Sequence, residues 1–263
     1  MRPAFIYSRT APPYAPVKQK LARLIYPHGS RRRVLRGPAR GMRFVVGDGI
    51  GVSYAVGVDA AAPRHFEGWV KRGMTVYDVG ANKGQMALLF ASLVGPDGRV
   101  VAFEPAPDVF ARLRENLSLN GLDCVHPVQV AAADEEGELT FAYDPERPTQ
   151  GKLLDVELTL RLDSADTITV PARPLDSVLD DEPPPDVVKL DVEGAAASAL
   201  RGATRILDEV GPAIYIELHG PEEQAGVRDE VLSRGYVAET LDGTRVPDPT
   251  DGWHSPLWCH RPS

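Results

Sequence analysis

From about residue 74 the chain alternates between two hydrophobic rhythms: short continuous apolar runs, and longer stretches whose apolar residues return every three or four positions. The first rhythm predicts strands buried on both faces, the second amphipathic helices. Thr75–Val79 reads as a buried strand and Lys83–Leu93 as the helix after it. Val100–Phe103 is a second strand, and Asp108–Asn120 a second helix with Val109, Leu113 and Leu117 on one face. Val125–Val130 is a third strand, and Glu138–Tyr143 a further one reached through Asp134-Glu135-Glu136-Gly137. Val187–Leu190 and Ala213–Leu218 are the fourth and fifth main strands, with a helix over Ala195–Leu207 between them. Glu222–Ser233 is the last strong helix, ahead of strands near Tyr236–Thr240 and Leu257–Cys259. Strands that alternate with helices are joined by crossovers, which predicts an α/β, Rossmann-like fold with a mainly parallel sheet wrapped on both faces.

The flanking stretches read differently. Residues 1–41 form a basic N-terminal arm, helical around Val17–Ile25 and then an arginine-rich loop, ahead of one domain over residues 42–263. Met42–Val46 and Ser53–Val58 pair as a hairpin with Gly47-Asp48-Gly49 at its turn, and a helix covers Pro63–Arg72. Tyr143–Thr167 is polar and irregular, either a loop over the site or a structural insertion; Ile168–Val170 is a short edge strand.

Composition narrows the class. A chain of 263 residues, 43% hydrophobic and 25% charged, suits one large soluble α/β domain better than two equal ones. No apolar run approaches the roughly 20 residues that cross a bilayer, and the proline-broken N-terminus lacks the apolar stretch of a signal peptide. Cys124 and Cys259 belong to no Cys-x-x-Cys pair, so neither a disulfide framework nor structural zinc is expected, and the compartment is the cytoplasm. The net charge of −8 is unevenly spread: residues 1–40 carry ten lysines and arginines and no acid, leaving the rest at −18. Such an arm serves a nucleic acid or a membrane surface, or docks on the acidic body of its own chain. That body repels phosphates, which favours docking and disfavours a nucleic-acid partner.

Chemistry concentrates at Val76-Tyr77-Asp78-Val79-Gly80-Ala81-Asn82-Lys83-Gly84-Gln85, where a strand ends in an acid and small residues open directly into a helix. Glycines let the backbone turn sharply and let a ligand approach it. Asn82 is placed to cap the helix, whose free N–H groups face the same crevice. The spacing departs from the Gly-x-Gly-x-x-Gly that accommodates a pyrophosphate, which disfavours a nicotinamide dehydrogenase. Asp78 suits a cationic amino group instead. The next strand closes with Ala102-Phe103-Glu104-Pro105, and Glu104, 20 positions past Gly84, is placed to accept hydrogen bonds from both ribose hydroxyls. S-adenosylmethionine has the ammonium and the ribose and no phosphate, so it is the expected cofactor.

These segments resemble the FkbM family of methyltransferases, usually O-methyltransferases of natural-product and sugar-type substrates. The matching residues are Val79-Gly80-Ala81-Asn82-Lys83-Gly84 and Ala102-Phe103-Glu104-Pro105, with Asn116 and Asn120 in the following helix. Arg173-Pro174-Leu175-Asp176-Ser177-Val178-Leu179 and Val188-Lys189-Leu190-Asp191-Val192-Glu193-Gly194 come next. Leu200-Arg201-Gly202-Ala203 and Ile216-Glu217-Leu218-His219 complete the set, which spans about residues 42 to 260. The resemblance implies a class I methyltransferase fold: a mainly parallel seven-stranded sheet, helices on both faces and an N-terminal helical or hairpin extension. It also implies that Asp78, Gly80, Asn82 and Gly84 hold the methionine end of the cofactor and Glu104 its ribose. Asp134 contacts adenine or is a plain turn acid, and Asn120 ends its helix or touches ligand.

The acceptor belongs at the carboxyl ends of the fourth and fifth strands, which puts Asp191 and Glu193 on one loop and Glu217 and His219 on the next. Methyl transfer needs alignment of acceptor, methyl and sulfur, and an aliphatic hydroxyl must also lose a proton. His219 is the natural base, with Asp191 orienting it or acting itself. The structural alternative has Asp191 and Glu193 capping the helix after Gly194 while His219 bonds to backbone. A metal reading, with Asp191, Glu217 and His219 holding Mg²⁺, is not favoured, because Glu217-Leu218-His219 stands where metal-dependent relatives carry paired carboxylates. Trp253, His254 and Trp258 line an acceptor pocket or belong to the core. His28, His65, His126 and His260 read as structural, and Asp180-Asp181-Glu182 as a solvated turn. The expected function is O-methylation of a hydroxyl on a small molecule. The alternatives are a methyltransferase for RNA or protein, or a non-catalytic S-adenosylmethionine-binding protein. Asp191-Val192-Glu193-Gly194 is not the Asn- or Asp-Pro-Pro-Tyr type of motif found in enzymes that methylate base nitrogens.

Overall fold

Seven strands form the main sheet of the computed structural model, which describes residues 24–47, 52–56, 61–142, 152–153, 167–192 and 194–262. A short antiparallel pair comes first, β1 (Arg31–Arg33) with β2 (Arg43–Val45), then helices α1 (Val52–Val56) and α2 (Ala61–Trp69). The α/β alternation follows: β3 (Thr75–Val79), α3 (Gln85–Val94), β4 (Arg99–Phe103), α4 (Pro107–Ser118) and β5 (Val125–Val128). After an excursion through β6 (Ala131–Ala132), β7 (Gly137–Ala142), β8 (Lys152–Leu153) and β9 (Thr167–Arg173), the chain returns to the main sheet. It re-enters as β10 (Val187–Leu190), α5 (Ala196–Arg201), β11 (Ala213–Ile216), α6 (Pro221–Gly226), β12 (Val237–Thr240) and β13 (Leu257–His260).

The order across the sheet is β12-β13-β11-β10-β3-β4-β5, parallel except for β13, which runs against both its neighbours. The chain starts in the middle at β3, builds outward to β5, then crosses back to β10 on the other side. That reversal leaves a crevice between β3 and β10 at the carboxyl ends of the strands, where the flanking loops diverge. Strands β3 and β10 are buried along their whole length because helices cover both faces, which explains why they are apolar apart from Thr75, Asp78 and Lys189. Val76, Val100, Val187 and Tyr215 pack with Phe66, Leu88, Phe90 and Leu113 on one side. Tyr77, Val101, Val188 and Ile214 pack with Ala199, Leu200 and Ile206 on the other.

Several expectations change. Ser53–Val58 is not the partner of the 42–46 strand: Val52–Val56 is helical, and the arginine-rich stretch read as a loop supplies the partner strand β1. A run of arginines lacks the apolar alternation that marks a strand, but backbone pairing needs none. The strand at Ile168–Val170 runs from Thr167 to Arg173 and sits inside a second sheet, of order β6-β9-β7-β8, rather than at an edge. Pro171 made it look shorter, since proline usually ends a strand, yet it pairs there with Glu138. The third main strand stops at Val128, and Ala131–Ala132 joins the second sheet. The residues 17–23, 48–49, 143–151 and 154–166 of other expected segments, and Glu193, lie outside the described residues.

Candidate functional site

The loop after β3 is shaped by three left-handed residues, Gly80 (φ 78), Asn82 (φ 51) and Gly84 (φ 89). Asn is the non-glycine residue that tolerates this region best. A Cβ on Gly80 would stand 2.0 Å from the Asp191 carbonyl oxygen, so the loops after β3 and β10 pack backbone to backbone there. A Cβ on Gly84 would stand 2.7 Å from Leu113 Cδ1, which makes this glycine a matter of helix packing. Asn82 is not the helix cap. Gly84 holds the cap place without a side-chain bond, while Asn82 Oδ1 accepts from the Lys83 N–H at 2.8 Å.

Glu104, at the end of β4, is buried and braces that loop. Its Oε2 accepts from the Asn82 N–H at 3.0 Å and its Oε1 from the Ala106 N–H at 2.9 Å. Burial pushes its carboxyl up to about 7, against the two backbone donors that favour ionisation.

Asp78 is more deeply placed than its motif suggests. It is 0% exposed, and neither carboxylate oxygen has a hydrogen-bond partner or measurable surface. Its neighbour is Lys189, directly opposite it in the parallel register of β3 and β10. The Lys189 ammonium lies 3.3 Å from Asp78 Oδ1 and 3.5 Å from Asp191 Oδ2, and donates to the Gly80 carbonyl at 2.7 Å. Burial alone lowers the affinity of Lys189 for its proton, but the carboxylates of Asp78, Asp191 and Glu217 outweigh it and hold the ammonium charged. Burial pushes the Asp78 carboxyl up, with Lys189 offsetting part of that. Lys189 was not among the residues expected at the site. Its signal was a lysine inside the apolar run Val187-Val188-Lys189-Leu190, since a fully buried lysine is almost always paired.

On the acceptor side, the loops after β10 and β11 bring Asp191 and His219 together, with His219 Nε2 3.1 Å from Asp191 Oδ1. The two side chains are 32% and 28% exposed, so both reach solvent at the crevice mouth. Burial disfavours the Asp191 carboxylate, but Lys189 and the His219 hydrogen bond overcome that and hold it below the usual range. Ala195 holds the cap place of α5 with no side-chain bond, and Asp191 is bound elsewhere, by His219 and Lys189. The buried carboxylate of Glu223, from α6, accepts from the Ala196 N–H at 3.1 Å with one oxygen and from the His219 N–H with the other. Glu223 thereby fixes the His219 backbone against the first turn of α5, a role invisible in sequence because it sits inside an ordinary helical pattern.

Other candidates do not converge here. Asp134 is nearly half exposed, and its oxygens take Ser198 Oγ at 3.0 Å and Arg201 Nε at 3.2 Å. Glu217 accepts from the Tyr215 hydroxyl at 2.8 Å and reaches the site only through its charge, which favours the Lys189 ammonium. Among the described residues no group of three His, Cys, Asp or Glu side chains is arranged to hold a metal ion. Asn116 and Asn120 clamp β2: Asn116 Oδ1 accepts from the Val45 N–H while its amide donates to the Lys83 carbonyl, and Asn120 bonds both the N–H and the carbonyl of Arg43. Glu182 is buried rather than solvated, bound by Arg99 and His126 at the opposite end of the strands. Trp258 is core, while Trp253 is 60% exposed.

The pattern of the methyltransferase FkbM domain matches residues 78–238. Over 146 residues the chain is 30% identical to the hexuronic acid methyltransferase AglP of Haloferax volcanii, and the match spans about half of that relative's length, 55% of each protein. Over 77 residues it is 42% identical to the 31-O-demethyl-FK506 methyltransferase FkbM of Streptomyces tacrolimicus, 29% of each. The crystal structure of a methyltransferase FkbM from Methylobacillus flagellatus superposes with a TM-score of 0.44 at 20% identity, covering 71% of this chain and 43% of that one. The domain match takes in more than half of the chain together with both loops of the crevice, and the chain belongs to the FkbM family of methyltransferases.

Proposed function

We propose that this protein transfers the methyl group of S-adenosylmethionine to a hydroxyl of a small molecule of the natural-product or sugar type. The observation behind this reading is the His219–Asp191 pair at 3.1 Å, with the Asp191 loop packing directly on the glycine-rich turn after β3. S-adenosylmethionine supplies a methyl already activated by a sulfonium, so the chain has only to align the acceptor and move one proton. Glu104 receives the ribose hydroxyls, using the lone pairs left by Asn82 and Ala106. The turn Gly80–Gly84 seats the rest of the cofactor. The His219 imidazole takes the hydroxyl proton, and the bond from Nε2–H to Asp191 Oδ1 then becomes charge-assisted, which stabilises the imidazolium. The two relatives, a hexuronic acid methyltransferase and a 31-O-demethyl-FK506 methyltransferase, support a polyhydroxylated acceptor.

The test is incubation with methyl-labelled S-adenosylmethionine and a panel of glucuronic acid, galacturonic acid, their methyl glycosides and unrelated secondary alcohols, followed by mild alkali. An alkali-stable methyl ether on one of these is expected. Label that alkali releases as methanol would mark a carboxyl ester, and label found only on RNA or protein would replace the small-molecule reading.

Glu104 gives the cofactor half a signature of its own. Its carboxyl sits at about 7 in the free protein, whereas hydroxyl donors bind the carboxylate form. Binding therefore expels a proton near neutrality, and affinity falls by up to about tenfold per pH unit below 7. The same raised value means that the folded state holds more protons than the unfolded one between about 4.5 and 7. This group's contribution to stability therefore declines as pH rises through that window. Calorimetry at pH 7 in buffers of different ionisation heat reads the released proton, and Glu104→Gln is expected to abolish it. A proton count unchanged in Glu104→Gln would remove Glu104 from the ribose site.

A further inference from the structure

We infer that Lys189 is a positioning residue, a built-in cation that takes the carboxylate of Asp78 for itself and ties the loop after β3 to Asp191, so that Asp78 acts on a bound cofactor through Lys189 rather than by contact. This rests on the reading that the crevice takes S-adenosylmethionine.

Lys189 lies midway in a polar strip on one face of three adjacent strands, in register with Asp78 on β3 and with Tyr215 on β11. Its ammonium has three N–H donors. Three acceptors surround it: the Gly80 carbonyl at 2.7 Å, Asp78 Oδ1 at 3.3 Å and Asp191 Oδ2 at 3.5 Å. The Val79 carbonyl, at 3.4 Å, completes the cage. These acceptors come from the end of β3 and from the loops after β3 and β10, which must be held together if the cofactor and acceptor sites are to share one geometry.

The motif at the end of β3 invites a direct contact between Asp78 and the cofactor's ammonium. Two features of the site oppose it. Asp78 has no surface to offer, since both carboxylate oxygens are buried. A second cation brought to them would also stand beside the Lys189 ammonium in a low-dielectric interior, where like charges at short range repel strongly. Asp78 already has its counter-charge in the Lys189 ammonium, 3.3 Å from its Oδ1. Lys189 then passes its constraint on in two directions, to the backbone of the turn through Gly80 and to the mouth of the crevice through Asp191.

The experiment uses two ligands that differ in the group at issue. S-adenosylmethionine carries the ammonium; 5′-methylthioadenosine keeps the adenosine and sulfur but lacks the amino-acid tail. Calorimetric affinities for both are measured on the full-length wild type, Asp78→Asn, Lys189→Met and the double variant Asp78→Asn/Lys189→Met, with the thermal midpoint of each. If Lys189 acts as a strut, each single variant loses affinity for both ligands by a similar factor, roughly tenfold or more, because the whole turn moves. The double variant, freed of an unpaired buried charge, recovers the thermal midpoint lost in Lys189→Met yet stays weak for both ligands. That recovery separates positioning from mere stability, and the double variant keeps the test open if Lys189→Met alone does not fold. Asp78→Asn weakening S-adenosylmethionine alone, with 5′-methylthioadenosine unchanged, would overturn the inference in favour of direct contact. Wild-type affinities in Lys189→Met would overturn it as well. A wild type that binds neither ligand defeats the cofactor reading itself, and the positioning role with it.

Discussion

Replacing His219 with alanine is expected to lower methyl-transfer turnover by roughly 10²- to 10⁴-fold, the range supplied by a positioned general base. Affinity for S-adenosylmethionine should stay close to that of the wild type, because the imidazole faces Asp191 at the crevice mouth while the turn and Glu104 lie behind it. Asp191→Asn is expected to cost a comparable factor for a different reason. The amide keeps the shape but withdraws the charge that stabilises the imidazolium, and it removes one of the acceptors around Lys189. The two effects are not additive if the residues act as a unit, so the double variant His219→Ala/Asp191→Asn should be little worse than either single one. Single-turnover rates at saturating cofactor, measured on whichever panel acceptor is methylated, check this. Full turnover in His219→Ala would remove it as the base. Multiplying losses in the double variant would mean that Asp191 and His219 serve separate steps.

Gly80→Ala is expected to destabilise the protein by about 3–5 kcal/mol, the range of severe single substitutions. The methyl would point at the Asp191 carbonyl oxygen 2.0 Å away and the Val192 side chain at 3.2 Å, and the neighbour that must yield is backbone, which cannot rotate aside. The left-handed φ of 78 adds about 1–2 kcal/mol more for any residue with a Cβ. Gly121→Ala is the matched control. It has φ +60 and nothing within 4 Å, so only the conformational part is lost there. Thermal melting should show a drop of about 10 °C for Gly80→Ala and of a few degrees for Gly121→Ala. Cofactor affinity should fall with the first and not with the second. Equal drops would mean that the contact between the two loops is slack and that Gly80 serves only its turn.

The α/β order, the central strands and the crevice were legible from the chain because they rest on local regularities. A strand covered on both faces is apolar except where its charges are paired, and a helix on a sheet repeats its apolar residues every three or four positions. The placement of Asp78, Glu104, Asp191 and His219 at or just beyond strand ends was legible as well, since the alternation already implied those ends. Three kinds of feature were not. The strand Arg31–Arg33 has no apolar signature, so its pairing with Arg43–Val45 rests on backbone bonds that any sequence can make. Thr167–Arg173 runs through Pro171, which local preference reads as a stop. Asn116, Asn120 and Glu223 serve segments far from them in sequence, and nothing in their own helices marks them out.

The chain by itself therefore determined the central α/β alternation, which of its strand ends meet at one crevice, and which polar residues follow those ends, because these follow from periodicity and from the carboxyl-end rule for parallel sheets. Only the tertiary structure decided what each polar residue touches. It sealed Asp78 against Lys189, gave the α5 N-terminus to Glu223 instead of Asp191, and bound Asp134 to Ser198 and Arg201. The physical reason is that a charge in a low-dielectric interior is governed by partners within a few ångströms, and in this fold those partners come from other strands and helices whose register no local pattern records.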